Sequence, residues 1–394
     1  MKTSAINLPL HTGHAPQYLI RRMIKLSHAI SKVIVDEYGQ QEFLRRLSDP
    51  LWFQALGCVL GFDWHSSGLT TVVTGVLNQA LSADVHGISV AGGKGKKSTT
   101  TKDDIPKLAE KHYNLSSIKI NDLLYASRMA AKVDNAAIQD GYSLYHHVIL
   151  FDQHGDWTII QQGMNPINRM ARRYHWISDN CKSFILEPHS GIISDCKSAN
   201  VLNMTSIDST DNQRISLDLA TGNSDNLRSC VSKATSVLAS IGRYTLDKWF
   251  ASENPISGNK HISDSNNILI EHYEMPRKLD WNLFKRIYDI HPENYEQLIS
   301  IHGVGPATVR ALSLIGELIY GTKASWQDPV KYNFAHGGKD GVPYPVAREV
   351  YDKSIKYLSS AIEGAEIERI DRIQALKKLA QYSARIFNTR DSQR

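Results

Sequence analysis

Carboxyl, imidazole and amide side chains are crowded into one short stretch of the sequence. Asp140 comes first, His147 and Asp152 follow, and Gln161 and Gln162 end the stretch. Carboxylate oxygens bind Mg²⁺ or Mn²⁺, and such an ion activates water and neutralises a phosphate during hydrolysis. We therefore expect Asp140, His147 and Asp152 to bind the metal or activate water, with both glutamines orienting them. Asp140 and Asp152 are the predicted metal ligands.

The same residues also fit a structural role. A nuclease core of the restriction type would carry Glu-x-Lys on its second strand, whereas this chain has QQGM over 161–164 and no lysine. Turn aspartates beside a solvated strand face fit the pattern equally well. Alternation along a strand also places His146 and His147 on opposite faces, so the two rings cannot share one site.

Two clusters of cations are suited to a polyanion. The run GGKGKKST contains Lys94, Lys96 and Lys97, and Arg172 and Arg173 alternate with aromatic residues in RRYHW. The net charge of +5 permits a nucleic-acid partner without requiring one. We expect both clusters to contact nucleic acid, the first as a mobile basic strap. A solvated loop and a surface helix are the alternatives, and a Walker phosphate loop is disfavoured because glycine is missing before the final lysine.

The stretch YEQLISIHGVGPATVRALSLIG predicts a helix-hairpin-helix over 295–316. Gly303 and Gly305 allow a tight turn, and the start of the second helix favours a phosphate. Thr308 and Lys339 complete the predicted nucleic-acid contacts. A plain turn between two helices is the alternative.

The same hairpin is compatible with a second class of enzyme. Hairpin, helix and the later Asp340 resemble the helix-hairpin-helix DNA glycosylases, in which an aspartate polarises the attack at the sugar. Two departures stand against this resemblance. Ala307 and Thr308 occupy the region of the lysine nucleophile of bifunctional members, and Asp340 lies further from the hairpin than usual. A turn capped by Asp340 fits equally well.

These residues require elements that position them. Hydrophobic periodicity predicts helices over 17–37 and 121–138, and alternation predicts a β-hairpin with strands over 145–151 and 157–162. We predict a mostly helical α+β fold. An N-terminal α+β domain with a small antiparallel sheet would span 1–193 and include the basic loop 92–102. A loosely structured polar connector, made of the excursions 194–226 and 252–267 with a helical segment between them, would follow over 194–267, and an all-α domain over 268–394.

Cysteine spacing and hydropathy limit the class of protein further. The four cysteines form no C-x-x-C pair, so neither a zinc knuckle nor a disulfide framework is indicated. No apolar run approaches the length of a membrane span. We therefore expect a cytoplasmic protein.

Longer segments carry a family resemblance, namely HTGHAPQYLIRRM, RLSDPLWFQALGCVLGFDWHSSG, AGGKGKKS, QDGYSLYHHVILFD, WTIIQQGMN, ARRYHWIS, HGVGPATVRAL and FAHGGKDGVPYPV. Together they resemble the archaeal and thermophile family called domain of unknown function 763. The resemblance covers most of the chain, apart from the polar excursions and the C-terminal tail. It implies a prokaryotic, archaeal origin and no particular activity.

The sequence as a whole predicts a DNA-binding protein that acts as a metal-dependent deoxyribonuclease in DNA repair or processing. One alternative is a glycosylase that removes damaged bases without a metal. The other is a nucleic-acid-binding protein without catalysis, whose affinity would fall steeply with salt.

Overall fold

A computed structural model describes residues 17–61, 68–167, 169–194, 197–251, 274–330, 332–333 and 348–391. Its helices are α1 (Gln17–Leu47), α2 (Pro50–Leu60), α3 (Gly68–Ala80), α4 (Ala83–His86), α5 (Thr101–His112), α6 (Ser117–Lys132), α7 (Thr210–Thr221), α8 (Ser224–Ala251), α9 (Trp281–Ile290), α10 (Tyr295–Ser300), α11 (Pro306–Tyr320), α12 (Arg348–Gly364) and α13 (Arg369–Asp391). The strands are β1 (Ile88–Lys94), β2 (Ile138–Gln139), β3 (Ser143–Asp152), β4 (Trp157–Asn165), β5 (Met170–Ile177), β6 (Gly191–Ser194), β7 (Leu202–Asn203) and β8 (Tyr332–Asn333). The predicted mostly helical α+β class is confirmed.

Local sequence signals explain several helix ends. Gly39 has a φ of 84° and kinks α1 just after residue 37, where the sequence predicts that the helix ends. Asp49 caps α2, because its Oδ1 accepts hydrogen bonds from the amides of Leu51 and Trp52 at 2.8 and 3.4 Å. No helix in the described part of the chain is long and apolar enough to cross a membrane.

The central sheet has the strand order β1-β3-β4-β5-β6-β8. All neighbouring strands are antiparallel except β6 and β8, which pair in parallel. The predicted β-hairpin is confirmed as β3 and β4, and it places His147 opposite Gln161 and His146 opposite Gln162. This register decides which side chains share a face of the sheet.

Each face of the sheet packs on its own hydrophobic core. Ile149 and Phe151 belong to one core, together with residues of α5, α6 and the helices from α7 to α11. Val148 and Leu150 belong to the other, together with residues of α1, α2, α3, α12 and α13. The predicted division at residues 193 and 267 stays a prediction, but segments on both sides of it share the first core. His147 faces that core and His146 faces the second.

The described part of the polar segment 194–226 contradicts the predicted loose connector. Residues 210–221 form α7, and the amide of Asn212 donates to the Ser313 carbonyl at 3.0 Å. Gln213 donates to the Met204 carbonyl at 2.6 Å. Polar side chains are buried here because they bind backbone carbonyls that would otherwise lack partners. The second polar excursion, 252–267, lies outside the described residues.

The basic run 92–102 is also more regular than predicted. It forms the end of β1, a 3₁₀ turn over Gly95–Thr99 and the start of α5. Gly92 has a φ of 97°, and a Cβ atom there would lie 2.3 Å from the His147 carbonyl oxygen. Glycine is therefore required where β1 passes β3.

Candidate functional site

A cavity of about 1000 Å³ opens between α6, the start of α5 and the strands β3 and β4. Three cations line it, namely Lys102, Arg128 and Lys132, and none of the described lining residues is acidic. His147 and Gln161 form part of its polar wall. A concave site with this charge is suited to an anionic ligand.

A chain of hydrogen bonds runs from this cavity into the core. Ser127 Oγ lies 2.8 Å from His147 Nε2, and His147 Nδ1 lies 2.8 Å from Gln161 Oε1. Gln161 Nε2 donates to Asp134 Oδ2 at 2.5 Å. The carboxylate of Asp134 also accepts from Trp176 Nε1 at 3.0 Å and lies 2.5 Å from His189 Nε2. We call Ser127, His147, Gln161 and Asp134 the relay.

Each member of the relay is positioned by a different element. Ser127 lies on the buried face of α6, beside Leu123 and Ala130. His147 and Gln161 are direct cross-strand partners on β3 and β4. Asp134 lies in the π-helical turn Val133–Ala137, which follows α6 directly. Such turns often occur at functional sites, because the extra residue redirects a side chain.

The network determines which imidazole nitrogen of His147 carries the proton. The Asp134 carboxylate only accepts hydrogen bonds, so it holds the Gln161 amide with Nε2 toward itself and Oε1 toward His147. His147 Nδ1 must then be the protonated donor. His147 Nε2 is left as an acceptor, and the Ser127 hydroxyl donates to it.

Burial lowers the pKa of His147 below its ordinary value, so the ring is neutral at neutral pH. A neutral imidazole that accepts from a hydroxyl is the arrangement of a general base and its nucleophile. On the opposite face, Thr74 Oγ1 lies 3.0 Å from His146 Nε2. His146 Nδ1 has no hydrogen-bond partner, so nothing comparable orients that ring.

Lys132 connects the cavity to the turn between α10 and α11. Its ammonium donates to the carbonyls of Ile299, Ile301 and Val304 at 2.9, 2.5 and 2.9 Å. Burial and the neighbouring Arg128 lower the pKa of Lys132 to about 8. One side chain thus lines the cavity and fixes the position of the turn.

That turn exposes its tip to solvent. Gly303 has a φ of 98° and is exposed, and Gly305 immediately precedes the first residue of α11. The buried side chain of Val304 anchors the turn in the first core. The backbone therefore reverses direction at the surface, directly before the N-terminus of a fifteen-residue helix.

A comparison with protein families identifies the family of the chain. The family described as Protein of unknown function (DUF763) matches residues 4–346. The chain belongs to this family. No curated protein and no solved structure matches the chain.

In this DUF763 protein, the predicted site residues are distributed over several places. Lys94, Lys96 and Lys97 are exposed, and the 3₁₀ turn that carries two of them contributes Ser98 and Thr99 to the cavity wall. The side chain of Thr308 is only 5% exposed, which contradicts its predicted contact with nucleic acid. Lys339 and Asp340 lie outside the described residues.

The predicted roles of Asp140 and Arg172 are contradicted by an internal ion-pair cluster. Arg172 Nη1 donates to Asp140 Oδ2 at 2.8 Å, and Nη2 donates to Asp328 Oδ2 at 2.7 Å. The Tyr174 hydroxyl also donates to Asp140 Oδ2 at 2.6 Å. Arg172 is fully buried, so its guanidinium does not reach a nucleic acid. We call Asp140, Arg172 and Asp328 the ion triad.

Arg173 is also buried, because RRYHW belongs to the interior strand β5 rather than to a surface helix. Its guanidinium donates to His175 Nε2 at 2.8 Å and to Gln54 Oε1 at 3.2 Å. The predicted nucleic-acid contact of Arg173 is therefore wrong. Gln162 faces away from the relay and donates to the Tyr145 hydroxyl, so it does not orient His147.

Asp152 closes the turn of the hairpin. Its Oδ1 accepts from the amides of His154 and Asp156 at 2.8 and 3.0 Å. Asp140 precedes β3 and Asp152 ends it, so about 30 Å of strand separates the two carboxylates. They do not fit as ligands of one ion. The described residues also contain no group of three or more His, Cys, Asp or Glu side chains suited to a metal.

The cavity therefore brings together only His147 and Gln161 of the predicted catalytic residues. Sequence reasoning missed Ser127, because it lies within an ordinary helical segment, ASRMAA. It also missed the role of Asp134, which depends on the π-helical turn. The cross-strand pair of His147 and Gln161 follows from the hairpin register, and it was the signal available in the sequence.

Proposed function

We propose that this protein binds nucleic acid, with DNA as its main ligand, along a surface that runs from the cavity to the turn 301–305. The observation that carries the proposal is the position of Lys132, which lines the cavity and donates to two carbonyls of that turn and to the Ile299 carbonyl at the end of α10. Two places suited to phosphates are thus held beside each other.

The turn supports the proposal through its geometry. Gly303 and Gly305 flank one buried anchor, and α11 begins immediately after them. In a helix-hairpin-helix, backbone amides at this position bind a phosphate without reading the bases. The exposed cations Lys102 and Arg128 line the same cavity. Exposed Lys94 and Lys97 line a smaller neighbouring pocket between β1 and α3, and the 3₁₀ turn that carries Lys96 and Lys97 contributes Ser98 and Thr99 to the cavity wall.

Processing of the bound DNA, as in repair, forms part of the proposal. The proposed reaction is hydrolysis of phosphodiester bonds. The magnesium or manganese requirement that the sequence predicts has no shared ligands in Asp140 and Asp152, so the following experiment decides it. Duplex, single-stranded, flapped and base-damaged oligonucleotides should be incubated with magnesium, manganese or chelator. Cleavage that requires the metal supports a metal-dependent nuclease, and loss of a damaged base in chelator supports a glycosylase. Binding without either reaction supports a protein that only binds.

Replacing Lys94, Lys96 and Lys97 together with alanine should weaken DNA binding for every sequence tested. Each lysine that contacts a phosphate contributes about 0.9 to the slope of log affinity against log salt on duplex DNA. The slope should therefore become shallower by about 1 to 3. Fluorescence anisotropy at several salt concentrations measures both effects.

The matched control replaces Lys25, Lys356 and Lys377, which are exposed on α1, α12 and α13. These helices pack on the second core, and none of the three control lysines lines the cavity or the pocket beside Lys94 and Lys97. The control removes the same net charge and should leave most of the binding and its salt dependence unchanged. Equal losses in the two triple variants would show a general charge effect and would refute the proposed surface.

A further inference from the structure

We propose that Ser127 and His147 form a metal-independent catalytic pair that cleaves a phosphodiester at the end of a single nucleic-acid strand. Both side chains line the cavity, and their oxygen and nitrogen lie 2.8 Å apart. The substrate class rests on the proposed nucleic-acid binding. The activation of Ser127 does not rest on that binding.

The relay gives Ser127 a base that accepts its proton, in a site that contains little bulk water. Its hydroxyl proton points to His147 Nε2, because the other ring nitrogen donates to Gln161. Ser127 and His147 are each 5% exposed, so bulk water competes little for either group. A third group that orients the base completes the pattern of nucleophile, base and orienting residue.

The size and charge of the cavity select the substrate. About 1000 Å³ accommodates one or two nucleotides but not a duplex, since ligand pockets of this size hold small molecules. The cations Lys102 and Arg128 are suited to the phosphoryl oxygens, and no acid among the described lining residues opposes them. A strand end therefore fits better than a neutral carboxylic ester.

The reaction balances with water as the only co-reactant. Ser127 Oγ forms a bond to phosphorus and gives its proton to His147 Nε2, while the bond from phosphorus to the leaving oxygen breaks. That oxygen takes the proton from Nε2 and departs as an alcohol. Phosphorus is then bound to Ser127 Oγ and still carries its other ester group. Water attacks it, gives a proton to Nε2 and displaces Ser127 Oγ, which recovers that proton. The products are a phosphomonoester and the regenerated serine.

Thr74 and His146 provide an internal comparison for this assignment. They form a hydroxyl–imidazole pair with 3.0 Å between Oγ1 and Nε2, but the Thr74 hydroxyl donates its proton to the Thr70 carbonyl at 2.8 Å. His146 Nδ1 lacks a partner, and burial lowers the pKa of His146 to about 3. This pair has no orienting amide and lies on the opposite face of the sheet. A pair that serves only the packing of the sheet should stay unreactive, and Thr74→Val is therefore the matched control.

The activated serine is tested with a tagged alkyl fluorophosphonate on the full chain, followed by peptide mass spectrometry. We expect one adduct, on Ser127, which is absent in Ser127→Ala and forms about a hundredfold or more slowly in His147→Ala. Thr74→Val should be labelled like the unmodified chain. No adduct, or an adduct that persists in Ser127→Ala, would overturn the proposal.

A second variant keeps the test decisive if Ser127→Ala does not fold. In Ser127→Cys, His147 should accept the thiol proton, so iodoacetamide should alkylate position 127 well below the ordinary thiol pKa near 8.5. Cys181 is the reference within the same molecule, because burial raises its pKa to about 12. Alkylation of position 127 no faster than that of Cys181 would count against the base.

The substrate class is tested in chelator with thymidine 5′-(p-nitrophenyl phosphate) and with p-nitrophenyl acetate. We expect p-nitrophenol release from the phosphodiester only, with kcat lowered about a hundredfold or more in Ser127→Ala. Turnover of the acetate alone would overturn the phosphodiester assignment, as would serine labelling without phosphodiester turnover. DNA binding by Ser127→Ala should persist, so a failed catalytic test is distinguishable from failed binding.

Discussion

Replacing Arg172 with methionine should lower the free energy of unfolding by about 3–5 kcal/mol. The guanidinium is fully buried and is bonded to both carboxylates of the ion triad, Asp140 and Asp328. Its removal leaves two buried carboxylates beside each other without their cation, and that loss exceeds the value of the contacts themselves. Urea unfolding followed by circular dichroism measures the effect.

Arg214→Met is the matched control for this prediction. Arg214 pairs with Asp211 at 3.3 Å, and both side chains are about three-quarters exposed. Exposed pairs of this kind contribute about 0–1 kcal/mol, because water screens them. A loss in Arg172→Met no larger than in the control would show that the buried triad does not stabilise the fold. Adding Asp140→Asn and Asp328→Asn to Arg172→Met should recover part of the loss, since the uncompensated charges disappear.

The ion triad also shows which parts of the fold the sequence could not predict. Helix α2 and the hairpin of β3 and β4 depend on caps, periodicity and turn residues within a few positions of each other. The buried position of Arg172 depends on its ion pair with Asp328, which lies 156 residues further along the chain. Two adjacent arginines in a sequence indicate a surface, and only the tertiary partner makes an interior strand the stable place for them.

The polar segment before α8 illustrates the same limit. Its serines, asparagines and aspartates are typical of a linker, yet Asn212 is buried against the Ser313 carbonyl, 101 residues away.

The candidate site could be predicted from the sequence only in part. His147 and Gln161 could be paired from hairpin register, whereas Ser127 meets them only after α6 has packed on the sheet. Local patterns therefore predicted the strand half of the relay and not its helical half.

Replacing Gln161 with leucine should lower the rate of fluorophosphonate labelling at Ser127 by about 10²–10⁴-fold. Leucine keeps the volume of glutamine but removes the acceptor of the His147 Nδ1 proton. The proton then favours Nε2, from which it donates to Ser127 instead of accepting from it. Gln161 is thus a positioning residue, and ¹⁵N chemical shifts of His147 should report the change of tautomer directly.

Gln162→Leu separates this effect from loss of a strand amide in general. Gln162 is the neighbouring residue on β4, faces the other side of the sheet and bonds the Tyr145 hydroxyl. It should leave both the labelling rate and the His147 tautomer unchanged. Should Gln161→Leu shift the tautomer without slowing the labelling, the orientation of His147 would have no part in activating Ser127.

The pH dependence of labelling tests the base itself. In the unmodified chain, burial lowers the pKa of His147, so the base form persists as pH falls through the ordinary histidine range near 6.5. Labelling should therefore stay constant from pH 8 through that range and decline only at lower pH.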